Sequence, residues 1–181
     1  IIGQKHLVGP DKVIRNLVEN NHIVSMILYG KPGIGKTSIA CAIANQIDKP
    51  YRMLNATINN KQDFDIVIEE AKMNGEMIII MDEIHRLNKD KQDLLLPYIE
   101  NGLIILIGMT TSNPYHKINP AIRSRCQIFE LKELTIEDIK EGIDKASKHL
   151  KDIVIDEEAK SVIARLSSGD LRSAINLLEV S

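Results

Sequence analysis

The chain has 181 residues, 44% of them hydrophobic and 27% charged, with a formal net charge of −2. That length suits one domain, or one with a small companion, and a core that needs no disulfide or metal; the composition excludes wholesale disorder. The charge excludes a histone-like polycation, and with no Trp, 4 Tyr and 2 Phe a surface that grips single strands mainly by aromatic stacking is excluded too.

Five short apolar runs predict strands at Met26–Tyr29, Tyr51–Leu54, Met77–Met81, Leu103–Met109 and Gln127–Leu131. Ile78–Ile80 and Ile104–Ile107 are apolar without alternation, as in strands covered on both faces. Helix-period stretches lie between them. Ile39, Ile43 and Ile47 fall at i, i+4, i+8; Phe64, Val67, Ile68 and Ala71 form a second stripe; Leu94–Ile99 suggests a third helix, bent by Pro97. Strands alternating with helices predict a parallel α/β sheet.

The pattern changes near Leu131. From Thr135 onward only helices are predicted, capped by Thr135 with Asp138 three residues on, by Asp156, and by Gly169-Asp170 ahead of Leu171–Glu179. Residues 1–131 carry 15 basic and 14 acidic side chains, and residues 132–181 carry 8 and 11. The predicted organisation is therefore an α/β domain, 1–131, followed by a small, acidic, all-helical unit, 132–181.

Gly30-Lys31-Pro32-Gly33-Ile34-Gly35-Lys36-Thr37 satisfies G-x-x-x-x-G-K-[ST] between a predicted strand and a predicted helix. Glycines let backbone N–H groups turn toward phosphate oxygens, and the following helix adds the positive end of its dipole. Lys36 is placed to reach the β- and γ-phosphates and Thr37 to ligate Mg²⁺. Asp82 and Glu83 end a buried strand, where ligands sit in open parallel sheets. Asp82 is the second candidate for Mg²⁺, and Glu83 the group that orients or deprotonates an attacking water.

Taken together, Lys36, Thr37, Asp82 and Glu83 resemble the Walker A and B sets of an AAA+ ATPase. Thr110-Thr111-Ser112-Asn113-Pro114 resembles the sensor 1 segment, with Thr111 as the sensor and Thr110 as the fallback. Ser124-Arg125-Cys126 resembles the Ser-Arg-Cys box of clamp loaders, which implies that Arg125 is an arginine finger acting on a neighbouring subunit. Gly169-Asp170-Leu171-Arg172 resembles the sensor 2 motif, which implies that Arg172 contacts nucleotide from a helical lid. Asn55 sits where many AAA+ proteins place a polar residue that holds the catalytic glutamate inactive.

The stretch Asp82-Glu83-Ile84-His85-Arg86-Leu87-Asn88-Lys89, continuing to Gln92-Asp93, Leu96-Pro97, Glu100 and Gly102, is similar to the replication-associated recombination protein A family. Ile2-Gly3-Gln4, His6-Leu7 and Ser25–Leu28 fit the same family. Lys31, Ile34, Leu87, Lys91 and Ser112 depart from its pattern. Neither Lys31 nor Ile34 removes a phosphate-binding group, and Ser112 stands where the family usually has Glu, which bears on the role of that acid and not on the ATPase resemblance.

The resemblance implies an AAA+ P-loop fold: a five-stranded parallel sheet flanked by helices, then a lid. It implies ATP and Mg²⁺ as cofactors, with Gln4, Gly30, Pro32, Gly33, Ile34, Gly35, Lys36, Thr37, Ser38 and Arg172 around the nucleotide. Ile1, Ile2, Leu7 and Val8 are expected at the adenine, beside Gln4. It further implies an ATPase active at stalled replication forks, in recombination and repair, assembled as a homo-oligomer. DNA in single-stranded, fork or end form is the implied partner, with single-stranded-DNA-binding protein as a candidate protein partner. His85, Arg86, Lys89 and Lys91 form a modestly basic cluster, which a solvated helix face explains equally well.

Other readings stay open. A clamp-loader subunit or a Holliday-junction branch-migration ATPase shares part of the motif set, and a scaffold that binds nucleotide without hydrolysing it shares the loop. The histidines, His6, His22, His85, His116 and His149, have no metal-ligand spacing. The two cysteines, Cys41 and Cys126, suggest no disulfide framework and hence a reducing cytoplasm, the bacterial cytoplasm or nucleoid under the resemblance. No apolar run reaches the roughly 18 residues of a membrane span. Without an initial Met, the sequence reads as part of a longer protein, cut after the sensor 2 helix and ahead of the family's oligomerisation region; such a piece is expected to be monomeric and weakly active.

Overall fold

The computed structural model describes residues 1–148 and 155–180; His149 and Ser181 lie outside them. The elements in chain order are α1 (Lys5–Val8), α2 (Val13–Glu19), β1 (Met26–Tyr29), α3 (Lys36–Gln46), β2 (Tyr51–Asn55), α4 (Lys61–Asn74), β3 (Met77–Asp82), a 3₁₀ turn (Ile84–Arg86), α5 (Lys89–Glu100), β4 (Ile104–Thr110), α6 (Pro114–Lys117), α7 (Pro120–Arg123), β5 (Gln127–Glu130), α8 (Ile136–Ser147), α9 (Glu157–Leu166) and α10 (Leu171–Val180).

All five strands join one parallel sheet in the order β2-β3-β4-β1-β5, as expected of the α/β pattern. β4 separates β1 from β3, so chain order and sheet order diverge beside β1. In open α/β sheets such a divergence marks the ligand crevice. The register aligns the carboxyl ends: Tyr29 pairs with Thr110 and Glu130, and Asn55 with Asp82.

Successive strand residues alternate between two buried layers. Ile78, Ile80, Ile105 and Ile107 lie in one cluster with α3, and that cluster continues into the apolar faces of α8, α9 and α10. Ile79, Met81, Ile104 and Leu106 pack with α4 and α5. This double coverage is why the central strands read as unbroken apolar runs. Both predicted capping interactions of α8 form: Thr135 Oγ1 accepts from Asp138 N at 3.1 Å, and Asp138 Oδ2 accepts from Thr135 N at 3.0 Å.

Several elements escape the sequence reading. α5 begins at Lys89, five residues before the apolar stripe, because Asn88 caps it by accepting from Lys91 N at 3.0 Å. The N-terminal helices α1 and α2, the 3₁₀ turn, and the short α6 and α7 were not predicted. Both α6 and α7 start with an Asn cap followed by Pro, a signal carried by composition rather than periodicity.

Candidate functional site

The loop from β1 to α3 is fixed by contacts from three directions. Lys36 Nζ donates to Gly30 O at 2.7 Å and to Lys31 O at 2.6 Å. Gln4 Nε2 donates to Ile34 O at 3.2 Å and to Lys132 O at 2.7 Å, while Gln4 Oε1 accepts from Lys132 N at 3.0 Å. From the helical region, Leu171 N donates to Gly33 O at 3.1 Å.

Two glycines of the loop are required sterically. Gly33 has φ +70°, and a Cβ there would lie 1.8 Å from Asp170 Oδ1. At Gly30, with φ +148°, a Cβ would lie 2.6 Å from Ile34 Cδ1 and 2.8 Å from Leu131 O.

A cavity of about 360 Å³ opens above these carboxyl ends, lined by Pro32, Gly33, Gly35, Lys36, Thr37 and Ser38 of the loop, by Asp82, Glu83 and Thr111 of the strand ends, and by Leu171, Arg172, Ile175 and Asn176 of α10. Gly30 and Ile34 shape the loop without lining the cavity. The α10 residues other than Arg172 were missed by sequence reading; their signal was the i, i+4 pair Leu171 and Ile175 on the face that carries Arg172 and Asn176.

The electrostatics of the cavity centre on Lys36. Burial pushes its ammonium below the usual lysine range, Asp82 and Glu83 pull it back up, and Arg172 adds to the lowering. Asp82 Oδ1 accepts from Glu83 N at 2.9 Å. Thr37 hydroxyl and Asp82 carboxylate face one cavity, and hard oxygen donors of this kind suit Mg²⁺ completed by phosphate oxygens and water.

The two threonines of the sensor 1 segment separate. Thr110 is 1% exposed, and its Oγ1 lies 2.8 Å from His85 Nδ1. Thr111 is exposed and lines the cavity. Arg125 stands outside the cavity: it forms an ion pair with Glu100, and its Nη1 donates to Ala121 O at 2.8 Å and Ser124 Oγ at 3.0 Å. Asn55 is turned to a local bend, where its Oδ1 accepts from Thr57 N at 2.9 Å and Thr57 Oγ1 at 2.6 Å. Glu83 Oε2 lies instead 3.4 Å from His85 Nε2.

A second cavity, about 560 Å³, includes Ile1 and Val8 among its lining with Ile14, Val18, Ile39 and Ile43. It begins one residue further along α3 than the loop cavity, which reaches Ser38. Leu7 is packed into the core at 8% exposure. In the basic cluster, Lys91 is committed internally: its Nζ donates to Asn59 O at 2.5 Å and lies 5.4 Å from the centre of the Phe64 ring. Among the described residues no helix is long and apolar enough to cross a membrane.

Known proteins resemble this chain in sequence and in fold. The chain is 57% identical to replication-associated recombination protein A of Bacillus subtilis (strain 168) over 187 residues, which cover 100% of this chain and 44% of the relative. It is 38% identical to the protein of that name from Escherichia coli (strain K12), covering 99% of this chain and 42% of the relative. The chain thus spans under half the length of these curated relatives. Among solved structures, the Thermotoga maritima RuvB Holliday junction branch migration motor superposes with a TM-score of 0.84 at 30% identity, covering 98% of this chain and 61% of that one. The family model of the "ATPase family associated with various cellular activities (AAA)" matches residues 26–134. That span runs from β1 past β5 and covers more than half of the chain, so the chain belongs to the AAA family of ATPases.

Proposed function

We propose that the chain binds ATP with Mg²⁺ and hydrolyses it to ADP and phosphate as the motor part of a protein that acts on DNA during replication-associated recombination and repair. The observation that carries this reading is the convergence of the phosphate loop, Asp82, Glu83, Thr111 and Arg172 on one cavity. Its working parts are the units 1–131 and 132–181, with Arg172 contributed by the second.

Lys36 and Arg172 neutralise phosphate charge, and Thr37 with Asp82 would hold Mg²⁺, which supplies further charge neutralisation at the β- and γ-phosphates. Glu83 takes the proton of the attacking water as its oxygen bonds to the γ-phosphorus and the bond to ADP breaks. Thr111 helps to position that water. Gln4 acts as a clasp between the N-terminal segment, the loop and the start of the helical unit. Ile1 and Val8 supply apolar walls for the base. Arg125, outside its own cavity, serves the nucleotide of a neighbouring copy in a homo-oligomer. Arginine fingers are worth about 10³–10⁵ in rate.

The test is steady-state ATP turnover together with ATP affinity. Glu83→Gln should trap ATP. Arg125→Ala should bind ATP normally and turn it over slowly, and mixing it with Lys36→Ala subunits should restore turnover; no rescue would argue against action in trans. Single-stranded, fork and end DNA are the proposed partners, with single-stranded-DNA-binding protein as a further candidate. Fork-DNA binding that weakens with salt is expected. A second reading, junction branch migration, is favoured by the likeness to the RuvB motor, and turnover stimulated by four-way junctions but not by forks would select it.

A further inference from the structure

We propose that His85 is a positioning residue that aims the Glu83 carboxylate, anchored from behind by the Thr110 hydroxyl. The inference rests on the ATPase reading above. It is distinct from the inactivating hold that the family resemblance implies for Asn55.

The geometry is a directed chain. Ser112 N donates to Thr110 Oγ1 at 3.0 Å, which leaves the hydroxyl proton free to point elsewhere. Thr110 Oγ1 lies 2.8 Å from His85 Nδ1 and 3.3 Å from Ser112 O, so the imidazole nitrogen is the nearer acceptor. A hydroxyl proton on Nδ1 places the ring proton on Nε2. Nε2 faces Glu83 Oε2 at 3.4 Å, an approach that a small side-chain rotation turns into a hydrogen bond.

Burial gives the chain its stiffness. Thr110 is 1% exposed at the end of β4, and the His85 side chain is 10% exposed, against 33% for Glu83. The anchored end therefore lies inside the protein and the free end at the cavity. Glu83 itself has φ 52° and ψ 38°, a left-handed conformation that non-glycine residues seldom adopt. That conformation opens the 3₁₀ turn Ile84–Arg86 and brings His85 back beside the carboxylate two residues earlier. Strained backbone of this kind is retained where surrounding contacts over-determine it. Asn55 makes a different contact, its side-chain oxygen accepting from Thr57 N and Thr57 Oγ1.

The experiment compares kcat, KM and ATP affinity of the full-length protein with those of Glu83→Gln, His85→Ala, Thr110→Val and Thr110→Ser variants. Loss of a hydrogen bond to a charged group corresponds to roughly 10–100-fold. His85→Ala and Thr110→Val should lower kcat on that scale with ATP affinity unchanged. Thr110→Ser, which keeps the hydroxyl, should retain wild-type turnover, and a variant combining His85→Ala with Thr110→Val should be no slower than His85→Ala. A purely structural role would instead weaken ATP affinity along with kcat, and that result overturns the proposal. So does wild-type turnover in His85→Ala or Thr110→Val, or a rise in turnover, which would make the contact a restraint. If His85→Ala does not fold, the Thr110→Val and Thr110→Ser pair decides alone. Wild-type protein no faster than Glu83→Gln would remove the ATPase reading and this inference together. A fast wild type, an inactive Glu83→Gln and fully active His85 and Thr110 variants would remove this inference only.

Discussion

The contact between the phosphate loop and α10 predicts a specific energetic coupling between Gly33 and Asp170. In Gly33→Ala the new methyl would sit 1.8 Å from Asp170 Oδ1 and 2.1 Å from its Cγ, so the carboxylate must leave. Asp170 Oδ1 caps α10 by accepting from Ser173 N at 3.1 Å, and the displacement also pulls Leu171 N from Gly33 O. The left-handed backbone at φ +70° costs about 1–2 kcal/mol for a residue with a Cβ. Losing the cap and the latch costs about 1 kcal/mol each. Gly33→Ala should therefore destabilise by about 3–4 kcal/mol, lowering Tm by roughly 10 °C, and Asp170→Ala by about 1 kcal/mol. In the double variant the methyl occupies the space of the absent carboxylate and the latch re-forms, so its cost should be about 2–3 kcal/mol, below the sum of the singles. Chemical denaturation of the four proteins without nucleotide measures the cycle. Strict additivity would refute the reasoning, because it would mean that Asp170 does not occupy the space over Gly33.

The other predictions concern single side chains. Gln4→Leu keeps the volume but strands Ile34 O, Lys132 O and Lys132 N, and it should lower stability by about 2–4 kcal/mol, read as a fall in urea midpoint at unchanged slope. Lys36→Met should abolish ATP binding, and its stability relative to wild type should depend on pH, because it removes the bonds to Gly30 O and Lys31 O together with the burial penalty of the ammonium. The folded lysine binds protons less readily than the unfolded one, so that penalty is present at neutral pH and fades as pH rises from the lowered folded pKa toward 10.5; Lys36→Met should therefore lose stability relative to wild type across that window. Burial pushes the Cys126 thiol up to about 12 from 9.0, so native protein should alkylate slowly there at pH 8 and at the rate of a free thiol in urea. The same shift has the folded state holding a proton that the unfolded state releases, so stability from this group is full below pH 9.0 and is lost as pH rises toward about 12.

What the sequence disclosed follows from which interactions are local. The strands appear within a residue or two of their predicted ends, and in β3 and β4 the reason is that both faces are buried and nearly every position is apolar. α8 and α9 start where Thr135 and Asp156 stand, since a cap is a three-residue interaction. Walker-type residues were legible because their spacing is fixed by the strand-to-helix turn. The order of the sheet was not legible: nothing in β4 records that it will insert between β1 and β3. Gln4 illustrates the same limit. Its partner Lys132 is 128 residues away, and all three bonds are to backbone atoms, which leave no mark on residue identity. The resemblance gave Thr111 as the sensor and Thr110 as the fallback, but only the structure shows that Thr110 turns inward to His85 while Thr111 lines the cavity.

These long-range contacts bear on how the phosphate loop is prepared for its ligand. In a trans peptide the C=O and the next N–H point in opposite directions. Leu171 N holds Gly33 O and Gln4 Nε2 holds Ile34 O, so the N–H groups of Ile34 and Gly35 are turned to the opposite side. α10 and the N-terminal segment therefore set the orientation of two N–H groups that the proposed function turns toward phosphate. Lys36 is satisfied by Gly30 O and Lys31 O, and Pro32, which follows, has no N–H to contribute. A phosphate oxygen would compete with those two carbonyls for the ammonium. Pulling Lys36 away would disturb a loop already tied to Leu171 and Gln4, and through Gln4 to Lys132 at the entry to the helical unit. Lys132 and the phosphate loop thus share Gln4 as a hydrogen-bond partner, so under the proposed ATPase reading a change at the loop would reach the start of the helical region through one side chain.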